Sequence, residues 1–201
     1  MKTIMKITTA AAEVIHFTVE KCALGLILVA QSAKGLSAIT LGDDRAALLR
    51  DLERRFPTAT RIEGGGVVEA SARKVIAFME SPARGLDVPL DARGTQFQQG
   101  VWEAIRQIPP GSTASYTEIA RRMRIPKAAR AVAGACAANA IAVAIPCHRV
   151  VRSDGRLSGY RWGVERKRAL LDAERAFLSS ARSCVPLATL AGAGISDRSC
   201  A

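Results

Sequence analysis

The chain has 201 residues, 49% of them hydrophobic, enough to bury the core of one ordinary domain or two small ones. A formal net charge of +11, from 29 Lys and Arg against 18 Asp and Glu, points to a polyanionic partner, with nucleic acid ahead of an anionic membrane. The five cysteines (Cys22, Cys136, Cys147, Cys184, Cys200) form no CxxC pair, which argues against a zinc ribbon or a disulfide scaffold and predicts a reducing, cytoplasmic setting.

Lys2 and Lys6 precede an apolar stretch that Glu13 and His16 interrupt, so no signal-peptide core is expected, and no apolar run is long enough to span a bilayer. From Val14 to Phe56 the pattern predicts strand, strand, helix. Gly25 to Gln31 and Leu36 to Leu41 are β-rich runs joined by the turn-like Ser32-Ala33-Lys34-Gly35, and Leu48, Leu49, Leu52 and Phe56 recur at helical spacing. Gly64, Gly65 and Gly66 break the chain before a second helix, Val67 to Glu80.

Pro82, Gly85, Pro89 and Gly94 then punctuate a boundary near residue 92. Thr95 to Gln98 fits a capping box, opening a helix with Phe97, Val101, Trp102 and Ile105 on one side. Pro109-Pro110-Gly111 ends that helix. Ser115 to Glu118 is a second capping box, and its short helix runs through Met123. A turn at Arg124-Ile125-Pro126 leads to a helix from Lys127 to about Ala137, the spacing of a helix-turn-helix. Ile141 to Ile145 reads as a buried strand or extended segment, and Val164 to about Phe177 as a final helix. The fold class is therefore α+β. A small N-terminal sheet-plus-helix domain (12–92) precedes a mainly helical domain with a helix-turn-helix (93–176), and an Ala-, Ser- and Gly-rich tail (177–201) is expected to be disordered.

Arg121, Arg122, Arg124, Lys127 and Arg130 gather around the helix-turn-helix, where phosphates would be met. The second helix is dominated by Ala128, Ala129, Ala131, Ala133, Gly134 and Ala135, which can approach closely but cannot read base edges. Such a surface suits sequence-blind contact in the minor groove, with Arg130 the long side chain placed for insertion; the competing reading is a solvated cation on a packing helix. Cys147, beside His148 and behind Pro146, is the leading candidate nucleophile, because a thiol gains reactivity when a nearby base or cation favours its thiolate. Adjacent extended residues point to opposite sides, so Cys147 and His148 would need a turn or a bridging water. Glu174 is a candidate to orient the imidazole.

The segment from Ile145 to Val151, Ile-Pro-Cys-His-Arg-Val-Val, resembles the signature of the 6-O-alkylguanine-DNA alkyltransferases. Arg93-Gly-Thr-Gln-Phe-Gln98, Ser115-Tyr116, Pro126-Lys-Ala-Ala-Arg130-Ala-Val132, Asn139 and Ser158-Gly-Tyr-Arg-Trp-Gly163 extend the resemblance over roughly residues 12 to 174. The chain is similar to the C-terminal repair half of the bacterial adaptive-response protein, without a counterpart of that protein's N-terminal zinc domain. The resemblance implies irreversible transfer of an alkyl group from the 6-oxygen of guanine in double-stranded DNA to Cys147, once per molecule and with the base flipped out of the duplex.

By the same resemblance, His148 acts through water as the base, Glu174 orients it and Asn139 braces the turn. Tyr116 donates a proton to the leaving ring, and Val150, Tyr160 and Arg161 line the base pocket. Arg130, Lys127, Ala128, Ala129 and Arg124 contact DNA. Only Cys22 and His16 are available as zinc ligands in the N-terminal half, so no metal and no cofactor is expected, nor a membrane contact or a stable protein partner. Two further readings stand beside this one. A non-enzymatic lesion-binding module would typically lack Cys147, and a cysteine hydrolase would have no use for the basic helix-turn-helix.

Overall fold

The computed structural model describes residues 12–183. Strands β1 (Val14–Cys22), β2 (Gly25–Ser32) and β3 (Gly35–Gly42) lead into helix α1 (Arg45–Arg55), strand β4 (Thr60–Glu63) and helix α2 (Val67–Glu80). They build a four-stranded sheet of order β3-β2-β1-β4, antiparallel except for the parallel β1–β4 pair. The expected hairpin is β2–β3. β1 and β4 are two strands that sequence patterning did not single out. In β1, Ile15 and Phe17 alternate inward, a signal obscured by His16 and Lys21. β4 has only four residues, mostly exposed, and is held by its backbone ladder, so it has no apolar periodicity to detect.

The sheet is buried on both faces because successive side chains point to opposite sides. Ile15, Phe17, Leu28, Ala30 and Ala38 pack against Leu48 and Leu52 of α1 and against Phe56, which caps its end. Ile27, Val29, Ile39 and Leu41 face the other way and join Val68, Ala72 and Val75 of α2 in a core continuous with the helical half. Each Val, Leu, Ile or Phe side chain taken out of water here contributes roughly 1.5–3 kcal/mol. Gly35 has φ of 139°, and a Cβ there would lie 2.3 Å from the Pro89 carbonyl oxygen, which instead accepts the Leu36 N–H at 2.8 Å. The connection between the two halves is thereby laid against β3.

The helical half comprises α3 (Gln96–Arg106), β5 (Ala114–Ser115), α4 (Tyr116–Arg122), α5 (Ala129–Ala138), β6 (Val150–Val151) and α6 (Val164–Ser183), with β5 and β6 forming a short parallel pair. Both capping boxes are present: Thr95 with Gln98 opens α3, and Ser115 with Glu118 opens α4. Val101, Trp102 and Ile105 are buried as expected. Phe97 remains 37% exposed because it lies in the first turn of α3, ahead of the contact with α5. The Trp102 indole N–H donates to the Ala135 carbonyl at 2.8 Å, tying α3 to α5.

The helix-turn-helix is α4 and α5. α5 begins two residues later than the expected Lys127, with Arg124 in the left-handed region at φ 61°. α6 continues past Phe177 to Ser183, so the expected tail is helical at its start, and the remainder of that tail lies outside the described residues. Among the described residues no helix is long and apolar enough to cross a membrane.

Residues 141–145 are not a strand. Ile39 of β3 donates its N–H to Ala140 and accepts one from Ala142, both at 2.9 Å, after which the chain turns, with Val143 at φ 67° and the Ile145 N–H donated to Ile141 at 3.1 Å. The apolar run is buried because it covers the core next to β3, so periodicity alone could not distinguish this loop from a strand.

Gly94 marks how closely the linker approaches α3. A Cβ there would lie 2.5 and 2.8 Å from the ring of buried Trp102. Gly94→Ala is expected to destabilise the protein by about 1–3 kcal/mol, read as a lower urea midpoint with unchanged slope.

Candidate active site

Asn139 ends α5 and organises the loop that follows. Its Nδ2 donates to the Ile145 carbonyl at 2.9 Å and to the Cys147 sulfur at 3.2 Å, while its Oδ1 accepts the Ile141 N–H at 2.8 Å. Cys147–Arg149 is a single 3-10 turn, closed by the Arg149 N–H on the Pro146 carbonyl at 2.9 Å. The expected extended backbone is therefore replaced by a turn, which separates the two neighbours. Cys147 lines a cavity, and His148 is directed into the protein toward Glu174.

Glu174 lies on α6 and is 3% exposed. It accepts from His148 Nε2 at 2.9 Å, from Arg149 Nη2 at 2.7 Å and Nε at 3.0 Å, and from the Gly111 backbone N–H at 2.8 Å. Arg149 also donates to the Ile108 carbonyl at 2.6 Å. Burial alone would raise the Glu174 carboxyl, but the hydrogen bonds from His148 and Arg149 outweigh it and hold the pKa down at about 2. An ionised carboxylate only accepts, so His148 Nε2 carries the hydrogen and Nδ1 is the basic nitrogen. Nδ1 is buried and has no hydrogen-bond partner among the described residues. Burial lowers the His148 pKa and keeps the imidazole neutral.

A cavity of about 440 Å³ is lined by Cys147 and Cys136, by Tyr116, Tyr160 and Arg161, and by Ser158, Gly159, Ala133 and Ala137. Cys147 is 4% exposed, and burial pushes its thiol up to about 11 against the opposing Asn139 hydrogen bond and Lys167 charge. The resting group is therefore a thiol, not the thiolate that the adjacent histidine suggested. The Tyr116 hydroxyl contacts the Ser158 hydroxyl at 2.5 Å, and burial raises its pKa. Tyr160 packs edge-on to Trp162, and its hydroxyl is buried without a partner among the described residues. Arg161 reaches the Ala137 carbonyl at 3.4 Å and Asp51 at 3.2 Å. A second cleft of similar size shares Arg161 but is lined by Asp43, Asp44 and Asp51, an unsuitable wall for a polyanion.

Among the expected site residues, Cys147, Tyr116, Tyr160 and Arg161 line one cavity, with Asn139, His148 and Glu174 behind the Cys147 sulfur. Val150 is not among the lining residues. It is fully buried, and its carbonyl accepts from Lys167 Nζ at 2.6 Å. Arg124, Lys127 and Arg130 are exposed around the start of α5, while Ala128 and Ala129 are half-buried. Sequence reasoning missed Arg149, Lys167, Ser158 and Cys136. Arg149 and Lys167 are cations, which composition places on the surface, and nothing local marks them as buried. Among the described residues, no group of three or more His, Cys, Asp or Glu side chains could hold a metal ion.

Residues 96–176 match the family model described as 6-O-methylguanine DNA methyltransferase, DNA binding domain. The chain is 51% identical over 160 residues to the bifunctional transcriptional activator/DNA repair enzyme Ada of Escherichia coli, covering 80% of this chain and 45% of that protein. It thus spans less than half the length of this relative. It is 41% identical to the inducible methylated-DNA–protein-cysteine methyltransferase of Bacillus subtilis, over 61% of this chain and 68% of that one. The Mycobacterium tuberculosis OGT crystallised in complex with DNA superposes with a TM-score of 0.66 at 34% identity, covering 81% of this chain and 94% of that one.

The Glu174 cluster makes stability depend on pH. The carboxyl is held below its ordinary 4.5, so its contribution of about 3 kcal/mol is fully present above pH 4.5 and disappears as pH falls toward 2. His148 acts in the same direction from about its ordinary 6.5 downward, because the unfolded chain takes up the proton that the buried imidazole refuses. Glu174→Gln leaves Arg149 buried and unpaired. It is expected to cost about 3–5 kcal/mol in urea unfolding at pH 7 and to flatten the pH dependence below 4.5.

Proposed function

Because the chain belongs to the methylated-DNA–protein-cysteine methyltransferase family, we propose that it repairs double-stranded DNA by moving an alkyl group from the 6-oxygen of guanine onto the sulfur of Cys147. The observation that carries this reading is that α5, second helix of the helix-turn-helix, also supplies Ala133, Cys136 and Ala137 to the wall of the cavity containing that sulfur. DNA lying along α5 lies beside the nucleophile.

The target carbon is buried in the duplex stack, so the nucleotide must rotate out before attack. The small residues of α5 permit close approach in the minor groove, and exposed Arg130 fills the gap left by the extruded base. No side chain caps α5, so its first N–H groups remain for phosphate, with Arg124 and Lys127 beside them. In the cavity, the Cys147 thiol gives its proton through a water to His148 Nδ1, whose basic form Glu174 enforces. The C–S bond then forms as the C–O bond breaks, the electron pair passes into the guanine ring, and Tyr116 gives its proton to a ring nitrogen. A thiol held near pKa 11 reacts only once its proton has a destination, which suppresses reaction with stray electrophiles. The product is a thioether that no group among the described residues is placed to cleave, so each molecule acts once.

Mixed with duplex carrying a radiolabelled methyl on guanine, the protein is expected to take up one label per molecule and Cys147→Ser none. Catalytic release of label, or labelling of the Ser variant, refutes the scheme. Arg130→Ala is expected to slow transfer from duplex at least 10-fold while changing attack on the free methylated base less than twofold, since only the duplex reaction includes base extrusion. Equal losses would remove Arg130 from that role.

A further inference from the structure

Lys167 is a fully buried side chain at 1% exposure, and no carboxylate among the described residues pairs with it. Lysine is almost never fully buried unless paired, so its position calls for a cause. Its ammonium donates to the Val150 carbonyl at 2.6 Å and, more distantly, to the Ser158 hydroxyl at 3.5 Å. Ser158 in turn contacts the Tyr116 hydroxyl at 2.5 Å. Burial lowers the Lys167 pKa, and the nearby Cys147 and Cys136 sulfurs would counter that only as thiolates. One cation thus connects the strand after the nucleophile, one wall of the cavity and the candidate proton donor.

An ammonium can only donate, which gives this chain a direction. With Lys167 occupying one of the two Ser158 lone pairs, its positive charge polarises the Ser158 O–H and favours the arrangement in which that hydrogen is given to the Tyr116 oxygen and the Tyr116 hydrogen points into the cavity. Without the cation, the two hydroxyls can exchange roles, and Tyr116 can spend its hydrogen on Ser158.

We infer that Lys167 is a positioning residue for alkyl transfer: through Ser158 it orients the Tyr116 hydroxyl as a proton donor and stabilises the oxygen left when that proton departs. The step balances within the proposed reaction. The Tyr116 O–H bond breaks as an N–H bond forms on the departing guanine, and the tyrosinate is held by the Ser158 hydrogen and the nearby ammonium until solvent returns a proton. The inference rests on the alkyl-transfer reading.

The experiment is a double-mutant cycle on single-turnover methyl transfer from duplex DNA, with Lys167→Met, Tyr116→Phe and the double variant, alongside duplex affinity and melting temperature. Lys167→Met is expected to slow transfer about 10- to 100-fold in the wild-type background and less than about twofold when Tyr116 is already Phe, with duplex affinity unchanged within about twofold. Multiplying losses overturn the inference, because a purely structural lysine would act whether or not the tyrosine has a hydroxyl. If Lys167→Met does not fold, Ser158→Ala takes its place in the same cycle with the same expectation, and multiplying losses again overturn it. A wild-type protein that accepts no label sinks the alkyl-transfer reading. A wild-type protein that accepts label while the cycle shows no coupling sinks only the role of Lys167.

Discussion

The site depends on a single buried carboxylate. Glu174 on α6 accepts hydrogen bonds from the turn that follows α3, through Gly111, and from both residues that follow Cys147. Three segments far apart in sequence are thereby fixed to one pair of oxygens, and the same contacts decide the chemistry of His148. Charge-assisted bonds of this kind are short and strong when water is excluded, and an uncompensated member is costly. The buried cluster is thus both the clamp that shapes the Cys147 turn and the source of a basic nitrogen behind it.

Around this clamp the protein distributes buried charge in an unusual way. Arg149 is neutralised by Glu174, whereas among the described residues Lys167 meets neutral oxygens and thiols. The burial of Cys147 keeps its own negative form suppressed.

The N-terminal unit braces the site. Ile39 of β3 pairs with the loop that leads to Cys147, Asp51 of α1 holds Arg161, and Arg166 on α6 reaches Asp43 and the Leu24 carbonyl. Both faces of the sheet are covered, one by α1 and the other by the core shared with α2 and α3. The loop lining the cavity and the helix bearing Glu174 are thus anchored to the N-terminal sheet unit.

What the chain alone determined was whatever depends on neighbours a few residues away. The capping boxes at Thr95 and Ser115, the amphipathic stripe of α1, the short helices around Arg124 and the paired Cys147 and His148 were all legible, because helix caps and periodicity act within one or two turns. The tertiary structure decided the rest. Residues 141–145 became a turn since Asn139 and Ile39 claim their backbone groups, and β4 exists only because β1 offers a free edge. Lys167 and Arg149 are buried because oxygens from distant segments meet them, and the thiol of Cys147 stays protonated because the fold removes it from water. A charge's environment is set by everything packed around it, and that packing is assembled from residues as far apart as Gly111 and Glu174.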